Sequence, residues 1–576
     1  MFLRWFLSRL LLGLLIPLSI TSTVYLYLYP VWTGCAYPLP HSTPEASLKG
    51  SAFLNTLRQH LVPQSTPEPE AAIFRLLVLA DPQLEGDSSL PRPEYGLGAR
   101  IQKHWNDTLV TLRTAPGDVT RTISTVLRVL VAEDLPRSFK AARKRLDLLG
   151  NDYYLAHIYR TLHWWTQPTH VTVLGDLIGS QWVTDDEFQR RGHRYWHRVF
   201  RGGERVGDEI TRTGDKEYSA DDTGTEELED LPSPSSWANR IINIVGNHDI
   251  GYSGDASERR IARFEQVFGR GNWDIRFQHP PVKRGNNNDD ELTPTLHLIN
   301  LNSLTLDGPP YSQDVQQHAY TYLNDLISRR SYPVEDRTTF TLLLTHLPLH
   351  KAEGVCTDGP YFTYFDADDT SKNPRYHAGG LREQNHLSEY ISANGILQGI
   401  FGMNGDEGVP GGGNGRNGLI LTGHDHTGCD VVHFIDRSPA PPNTPASSTD
   451  IDQEEPINHK SQWTWKATRY IHRSSNSSSL ISDAPSIREI TLRSMMGEYG
   501  GNAGLLSLWF DVDAAEWRYA MALCPAGVQH IWWAVHVIDL VTLGVCSVYI
   551  LLRVVEPSVS RVPGPVPGAG GDKKTR

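Results

Sequence analysis

Side chains that suit metal ions follow five short apolar runs of this chain. The five blocks are Asp81-Pro82-Gln83, Gly175-Asp176-Leu177, Gly246-Asn247-His248-Asp249, Thr345-His346 and Gly423-His424-Asp425-His426. An isolated Asp-x-Gln is ordinarily a turn, and an isolated His after a strand is ordinarily a core residue. Five such blocks in succession, each behind an apolar run, instead predict one shared site.

The residue types in these blocks fit a site for two divalent ions. Two such ions about 3.5–4 Å apart repel each other and need a carboxylate between them, for which Asp176 is the candidate. The other candidate ligands are oxygen donors and imidazoles: Asp81, Gln83, Asn247, His346, His424 and His426. Because this set contains no thiolate, it favours two Mn²⁺ ions, with Zn²⁺ or Fe²⁺ as alternatives, over an iron–sulfur centre. A water held between such ions is a strong nucleophile at neutral pH, so the set predicts a phosphoesterase.

His248 directly follows the candidate ligand Asn247, so its ring can face the substrate. We expect His248 to protonate the leaving group or to stabilise the transition state. The predicted catalytic residues are therefore His248 and the bridging Asp176.

The apolar runs in front of the five blocks have the length and composition of buried strands. They cover residues 74–80, 171–174, 241–245, 340–344 and 419–421. Ligand sites collect at the carboxyl ends of strands in layered α/β folds, so these strands would bring the five blocks together. Helices are predicted at 119–132 and 138–165, and an ordered segment at 487–510 closes the sheet.

The chain fits one large domain that is interrupted by surface inserts. Low-complexity stretches at 202–236, 286–291, 402–418 and 438–485 are expected to be mobile. A chain of 576 residues whose 37 Pro and 49 Gly cluster in such stretches favours one domain over several. The net charge of −12 argues against binding to nucleic acid, which needs a basic face.

Two stretches, 10–29 and 531–552, are predicted transmembrane helices, since a bilayer takes about 20 apolar helical residues. A cleaved signal peptide is the alternative for the first, but the length of the apolar run and its Tyr25, Tyr27 and Tyr29 favour an uncleaved anchor. Basic residues flank the outer end of each stretch, so residues 1–9 and 553–576 are predicted to be cytosolic. A linker at 30–70 and the metal-binding domain at 71–524 would then lie in the lumen.

Short signals agree with this topology and indicate the endoplasmic reticulum membrane. Lys573-Lys574-Thr575-Arg576 resembles a dilysine retrieval signal, which works only on a cytosolic C-terminus. Glycosylation sequons at Asn106 and Asn476 lie in the predicted lumenal part.

Four cysteines lie in the predicted lumenal part, where disulfides form. Cys35 and Cys524 flank the two spans, and Cys356 and Cys429 follow strands of the metal site. We expect Cys35–Cys524 and Cys356–Cys429 rather than crossed pairs; free buried thiols are the alternative.

Asp539 lies inside the second span, where an unpaired ionisable residue costs about 2.5–3.5 kcal/mol. We expect Asp539 and His536 to face hydroxyls of the first span. The hydroxyls at the matching depth are Ser19, Thr21, Ser22 and Thr23. The alternative is that the second span starts later and leaves both residues among the lipid headgroups.

The five blocks resemble those of the calcineurin-like metallophosphoesterase superfamily. The resemblance implies an α/β fold in which two β-sheets form a sandwich flanked by helices, here with one transmembrane helix at each end. It implies the following roles: Asp81, residue 83 and His426 for the first metal, Asp176 for both, Asn247, His346 and His424 for the second, and His248 for proton handling. Gln83 departs from the superfamily, which usually has His there. Because a neutral amide oxygen is a poorer ligand than imidazole, the first metal is expected to be held less tightly.

Further segments look like a fungal branch, the Cdc/Ted-type endoplasmic reticulum phosphodiesterases, which are related to the animal post-GPI-attachment phosphoesterase. These segments are 79–83, 150–154, 175–182, 246–252, 383–385 and 493–502. The resemblance implies removal of an ethanolamine-phosphate branch from a mannose of the GPI anchor glycan, which permits export by p24-type cargo receptors. The alternatives are a lumenal phosphoesterase with another substrate, and a non-catalytic module that binds GPI-anchored cargo.

Overall fold

A computed structural model describes most of the chain. The described residues are 2–38, 54, 56–57, 70–86, 90, 93–215, 217–218, 228–284, 291–330, 332–356, 359–369, 375–437, 463–470 and 484–555. Outside them lie the dilysine-type signal, the sequon at Asn476, and most of the linker and of the 438–485 insert. The chain forms two units, one of the terminal segments Met1–Leu28 and His530–Arg576 and one of Tyr29–Gln529.

The strands follow one another along Tyr29–Gln529 with helices between them. The strands are β1 (Glu70–Leu79), β2 (His170–Val173), β3 (Glu204–Arg205), β4 (Leu228–Asp230), β5 (Arg240–Asn243), β6 (Trp273–Gln278), β7 (Val282–Lys283), β8 (Glu291–Leu292), β9 (Thr295–Leu301), β10 (Thr339–Thr345), β11 (Phe362–Tyr364), β12 (Leu381–Gln384), β13 (Gly418–Thr422), β14 (Cys429–Asp436), β15 (Thr464–Arg469), β16 (Ser486–Thr491), β17 (Asn502–Asp511) and β18 (Glu516–Pro525). The helices are α1 (Phe2–Leu10), α2 (Ile16–Trp32), α3 (Leu97–Thr114), α4 (Val119–Val129), α5 (Leu135–Thr166), α6 (Asp185–Arg194), α7 (Asn247–Ile250), α8 (Glu258–Phe268), α9 (Gln313–Arg329) and α10 (Gln529–Val555), with wider π-type turns at Leu11–Leu15, Leu130–Asp134, Tyr195–Val199 and Ile391–Ile400. The mixed α/β class is as expected from the sequence.

All five predicted strands are present, as β1, β2, β5, β10 and β13. The two predicted helices are α4 and α5, but they do not end and restart across 133–137 as expected. A π-type turn at Leu130–Asp134 joins them directly in front of Pro136, whose missing N–H leaves a gap in the α-helical hydrogen-bond ladder. Three of the inserts that were expected to be mobile loops contain regular structure. Strands β3 and β4 lie in 202–236, a short 3₁₀ turn at Pro410–Gly413 lies in 402–418, and β15 lies in 438–485, where it pairs with β14.

Two large sheets of the described residues carry the site. The first has the strand order β18-β17-β1-β2-β5-β3, and the second has β15-β14-β16-β13-β10-β9-β6-β4. Within the first, β1, β2 and β5 are parallel neighbours; within the second, β9, β10 and β13 are. Parallel neighbours end at the same edge of a sheet, so the blocks after β1, β2 and β5 become adjacent, as do those after β10 and β13.

One hydrophobic core contains residues of both sheets. Phe74, Leu76 and Val78 of β1 point into it at every second position, as the period of a strand requires. The rings of Phe74 and Phe277 of β6 lie 5.6 Å apart, which joins the two sheets directly. Full burial of such a side chain stabilises the fold by about 1.5–3 kcal/mol.

Both expected disulfides are present. Cys35 is bonded to Cys524, next to the end of β18, and Cys356 is bonded to Cys429, the first residue of β14. The second bond ties the loop after His346 to the strand that follows His424–His426, so it braces two of the candidate ligand loops.

The terminal unit contains two helices that are long and apolar enough to cross a membrane by length and composition, Phe2–Trp32 and Gln529–Val554. Ser19 donates a hydrogen bond to the Asp539 carboxylate, and Thr23 Oγ1 donates a second one at 3.2 Å. The expected pairing of Asp539 with hydroxyls of the first span is therefore confirmed for Ser19 and Thr23. It is wrong for Thr21 and Ser22, which donate to carbonyl oxygens of their own helix. The expectation for His536 is wrong, because its Nδ1 donates to the carbonyl oxygen of Trp532, one turn earlier, at 2.8 Å.

Cysteines at positions 19 and 539 should crosslink in membranes. In a chain with Cys546→Ser, we expect a short bismaleimide to join Ser19→Cys to Asp539→Cys. SDS gel mobility reports this bond after cleavage of the intervening chain and reduction of the Cys35–Cys524 disulfide. Ile20→Cys is the matched control, since Ile20 is 58% exposed one residue away. Equal crosslinking from positions 19 and 20 would contradict the pairing.

Candidate metal centre

The candidate ligands stand on sharp turns directly after their strands. Asp81, Gln83, Asp176 and His424 all have positive φ, at 51°, 40°, 52° and 73°. Such values are uncommon for residues with a side chain and cluster at functional sites. Gly175 (φ 87°) leaves the space that this geometry needs, because a Cβ there would lie 2.3 Å from Nδ1 of His346. The backbone is thus bent to aim these side chains at one point.

Asp81, Asp176 and His426 form the first half of the site. One ligand atom from each lies within 4.8 Å of the other two. Oδ2 of Asp81 is buried and has no hydrogen-bond partner among the described residues. Burial and the charge of Asp176 raise the pKa of Asp81 well above its usual value. A divalent cation fits this group, since it would take up the free oxygen and offset the two buried charges.

Asn247, His346 and His424 form the second half. Nδ1 of His346 donates to the Leu174 carbonyl at 2.8 Å, and Nε2 of His424 donates to the Gln384 carbonyl at 3.0 Å. Burial lowers the pKa of both rings, to about 3 for His424, so both are neutral at physiological pH. The second nitrogen of each neutral ring then carries a lone pair that can bind a cation.

Both of those lone pairs face the same oxygen. Nε2 of His346 lies 2.9 Å and Nδ1 of His424 lies 3.0 Å from Oδ1 of Asn247. Nε2 of His346 also lies 3.4 Å from Oδ1 of Asp176. Acceptors that converge without a proton between them fit a shared cation, and the carbonyl partners hold each ring in the tautomer that ligation needs. Asp176 reaches both halves, as a bridging carboxylate must.

Gln83 lies among the ligand atoms but presents its amide nitrogen. Nε2 lies 3.0 Å from Oδ2 of Asp176 and 3.0 Å from Nε2 of His426, and it donates to the carboxylate. In this orientation the amide nitrogen of Gln83 contacts two candidate ligands of the first half, and the assignment of residue 83 as a metal ligand stays a prediction.

Gln83→His should strengthen the first half of the site. An imidazole there would add a nitrogen ligand in place of the amide N–H, and we expect tighter Mn²⁺ binding by about 10–100-fold, the range for groups that tune a metal ligand. Titration of the metal-free protein with Mn²⁺ by calorimetry measures the change. Gln189→His, at an exposed position on α6, is the control. Unchanged affinity at both halves would contradict the placement of residue 83.

His248 lies at the open side of the centre. Its backbone N–H donates to Oδ1 of Asp176 at 2.8 Å, and its Nε2 lies 3.8 Å from Oδ2 of the same carboxylate. The side chain is 37% exposed, whereas that of Asp176 is 2% exposed. His248 can therefore exchange a proton with a bound substrate while its backbone helps to hold Asp176.

Asp249 belongs to the site, although the sequence assigned it no role. Its fully buried carboxylate accepts from the backbone N–H of Gly246 at 2.8 Å and of Ile178 at 3.0 Å. It thus ties the turn that carries Asn247 and His248 to the loop that carries Asp176. The available signal was its position three residues after Gly246, where an acid caps the start of a short helix such as α7.

Two cavities meet at the metal centre. One has a volume of about 380 Å³ and contains His424, His426, Lys351 and the Cys356–Cys429 disulfide in its walls. The other has a volume of about 340 Å³ and is lined by Gln83, His426 and residues of α5. Both volumes lie in the range of small-molecule sites, about 300–1,000 Å³. The centre can thus accommodate substrate groups on two sides.

A buried ion pair lies behind the first cavity. Nζ of Lys351 lies 3.0 Å from Oε1 of Glu489, and the two side chains are 3% and 0% exposed. Glu489 also accepts from the backbone N–H of Leu349 at 3.2 Å and from His433. Although burial raises it, these partners, Lys351 first, bring the pKa of Glu489 down to about 2. The pair fixes the loop that follows His346.

Comparisons with known proteins find relatives among yeasts and animals. The chain is 35% identical over 431 residues to Protein TED1 of Saccharomyces cerevisiae, a match that covers 69% of the chain and 77% of that protein. It is 27% identical over 403 residues to an uncharacterized protein of Schizosaccharomyces pombe, covering 68% and 78%. It is 26% identical over 302 residues to Metallophosphoesterase 1 of Cricetulus griseus, covering 50% and 57%. No protein-family model matches the chain.

Proposed function

This chain belongs to the family of Saccharomyces cerevisiae TED1, with the metallophosphoesterase 1 proteins as more distant relatives, and on that premise we propose that it is a metal-dependent phosphodiesterase. The observation that carries the proposal is the convergence of acceptors on two neighbouring points that share Asp176. The first ion would be held by Asp81, Asp176 and His426, and the second by Asp176, Asn247, His346 and His424. The superfamily's two-sheet sandwich is proposed as the fold.

The chain's own side chains have separable roles in hydrolysis. Bound divalent ions supply Lewis-acid polarisation of the phosphoryl oxygens and neutralise their charge. As the bond between phosphorus and the leaving oxygen breaks, that oxygen needs a proton. His248 is the half-exposed group at the open side, and it donates this proton from Nε2. Asp249 keeps the turn of His248 in place.

We propose as substrate an ethanolamine-phosphate branch on a mannose of the GPI anchor glycan, as the family resemblance implies. Hydrolysis would release ethanolamine phosphate and leave the mannose hydroxyl free, which permits export with p24-type receptors. The proposed location is the endoplasmic reticulum membrane, with residues 71–524 in the lumen and both termini in the cytosol. Two apolar terminal helices support a membrane protein, and two disulfides support an oxidising compartment.

The full-length protein in nanodiscs, loaded with Mn²⁺, tests the function directly. We expect it to remove ethanolamine phosphate from a GPI glycan, seen as a loss of that mass from the glycan. Hydrolysis of bis(p-nitrophenyl) phosphate without any effect on the glycan would favour a lumenal phosphoesterase with another substrate. Two bound ions without hydrolysis of either compound would favour the non-catalytic binding module.

A further inference from the structure

Two helices of the central unit bury none of their side chains. They are α3 and α4, which are joined by a short turn at Pro116–Asp118. A surface helix of a globular domain normally buries an apolar stripe against the core. The apolar side chains of α3 and α4 must therefore be covered by something other than the described core.

These side chains form one stripe on each helix. At about 100° per residue, three apolar positions on each helix fall on one face, whereas Val110 of α3, which is 59% exposed, lies on the opposite side. On α3 they are Ile101, Trp105 and Leu112, exposed by 48%, 65% and 53%, and on α4 and the next turn they are Ile123, Leu127 and Val131, exposed by 43%, 55% and 62%. We call this surface the 101–131 face. Large apolar side chains that stay exposed to water on neighbouring helices mark an interaction surface.

Charge separates the 101–131 face from the rest of the molecule. Residues 97–149 contain ten Lys and Arg against five Asp and Glu, in a chain whose net charge is −12. Lys103, Arg113, Arg121 and Arg128 are exposed on the polar side and flanks of the two helices. An apolar face with an aromatic residue, combined with a basic polar side, is the composition of helices that lie in the interfacial layer of a bilayer.

A buried carboxylate holds the two helices in this arrangement. Oδ1 of Asp134 accepts from Nε of Arg100 at 3.0 Å, and its Oδ2 lies 2.8 Å from Nε2 of His104. Arg137 of α5 contacts the same carboxylate at 3.3 Å. The hairpin is therefore fixed to the bend between α4 and α5, and both stripes keep one orientation.

We propose that the 101–131 face lies in the interfacial layer of a lipid bilayer, with the basic residues in contact with the headgroup phosphates. The chain contains two helices that can cross a bilayer, so a membrane is tethered to this unit at high effective concentration. Trp105 serves as the interfacial anchor, as tryptophan does at membrane boundaries.

Helix α5 links the hairpin of α3 and α4 to the metal centre, so a bilayer contact of the hairpin would also affect the position of that centre. This helix continues from the hairpin, and its Lys144, Asp147, Leu148 and Asn151 line the 340 Å³ cavity beside Gln83 and His426. A hairpin held at the membrane therefore positions this cavity for substrates that are themselves anchored in the bilayer. This consequence rests on the proposed function, whereas the membrane contact does not.

Fluorescent labels on opposite sides of the hairpin test the contact. In the full-length chain with Cys546→Ser, an NBD label is placed at Trp105→Cys or Leu127→Cys, with Lys103→Cys and Thr125→Cys as controls on the same two helices. The nanodiscs contain phosphatidylcholine and phosphatidylinositol, with a nitroxide near the headgroup end of an acyl chain. We expect labels at 105 and 127 to lose most of their fluorescence and those at 103 and 125 to keep most of it.

Other outcomes would overturn the proposal. Equal quenching on both sides would mean that the hairpin has no preferred face at the membrane. Labels at 105 and 127 that escape the nitroxide but also escape aqueous iodide would mean that a protein segment, from this chain or a partner, covers the face. Labels open to iodide would mean that the face is exposed to water. Trp105→Glu gives a second readout, for which we expect unchanged hydrolysis of a soluble diester and slower hydrolysis of a bilayer-anchored one.

Discussion

Asp176→Asn should abolish hydrolysis and lower the number of bound metal ions. Asp176 contacts both halves of the site in the described structure, because one of its oxygens lies within 4.8 Å of Asp81 and His426 and its Oδ1 lies 3.4 Å from Nε2 of His346. An amide cannot neutralise two ions at once, so both are weakened. We expect kcat/KM to fall by about 10³-fold or more, which is about 4 kcal/mol of transition-state stabilisation. Elemental analysis should show fewer ions than in Asp81→Asn or His346→Ala.

Asp513→Asn, in an exposed turn between β17 and β18, removes the same charge away from the site and serves as the control. It should keep both ions and full activity. If Asp176→Asn binds two ions and turns over normally, the bridge has been assigned to the wrong carboxylate. A folded protein with both ions but without turnover would instead restrict Asp176 to a role in catalysis.

Glu489→Gln should strongly destabilise the central unit while leaving the candidate ligands intact. It leaves the ammonium group of Lys351 buried without a countercharge, and breaking a buried pair in this way costs about 3–5 kcal/mol. Thermal unfolding of the full chain in nanodiscs, followed by tryptophan fluorescence, measures the loss. The double variant Lys351→Met/Glu489→Gln should recover part of it, because no buried charge is then left alone.

The same carboxylate predicts how stability depends on pH. The folded-state pKa of Glu489 is about 2, below the value of about 4.3 expected in the unfolded chain. A lowered carboxyl pKa stabilises the fold fully above the unfolded value, and this contribution is lost as pH falls from about 4.3 to 2. The loss is roughly 3 kcal/mol for this group. In the Glu489→Gln variant, the free energy of unfolding should therefore fall less steeply as pH decreases from about 4.3 to 2. An unchanged pH dependence would contradict the lowered pKa of Glu489.

The hydrophobic core and the hydrogen-bonded turns place most of the expected site residues together. The local sequence was enough to predict this grouping. An apolar run predicts a strand of four to ten residues, and Gly with compact polar residues predicts the turn that follows it. Both signals lie within one short segment. Parallel pairing then brings the ends of β1, β2 and β5, and those of β10 and β13, to common edges.

The orientation of individual groups did not follow from the sequence. Which atom of Gln83 faces Asp176 depends on His426, which is 343 residues away along the chain. The role of Asp249 depends on the N–H of Ile178, 71 residues away, and the Lys351–Glu489 pair joins residues separated by 138 positions. Helix α3 and the continuous path from α4 into α5 were also missed, since the polar, weakly patterned α3 offers little periodic signal.

The sequence by itself determined the types of the candidate ligands, the strands that carry them, the two apolar helices and the pairing of Asp539 with hydroxyls. Each of these rests on a short-range pattern or on the high cost of an isolated charge. Only the tertiary structure decided which polar atoms are left without partners and which apolar faces are left uncovered. Periodicity predicts that a helix has an apolar side, but what covers that side depends on every other element. For that reason the free oxygen of Asp81 and the exposed 101–131 face became visible only in the folded chain.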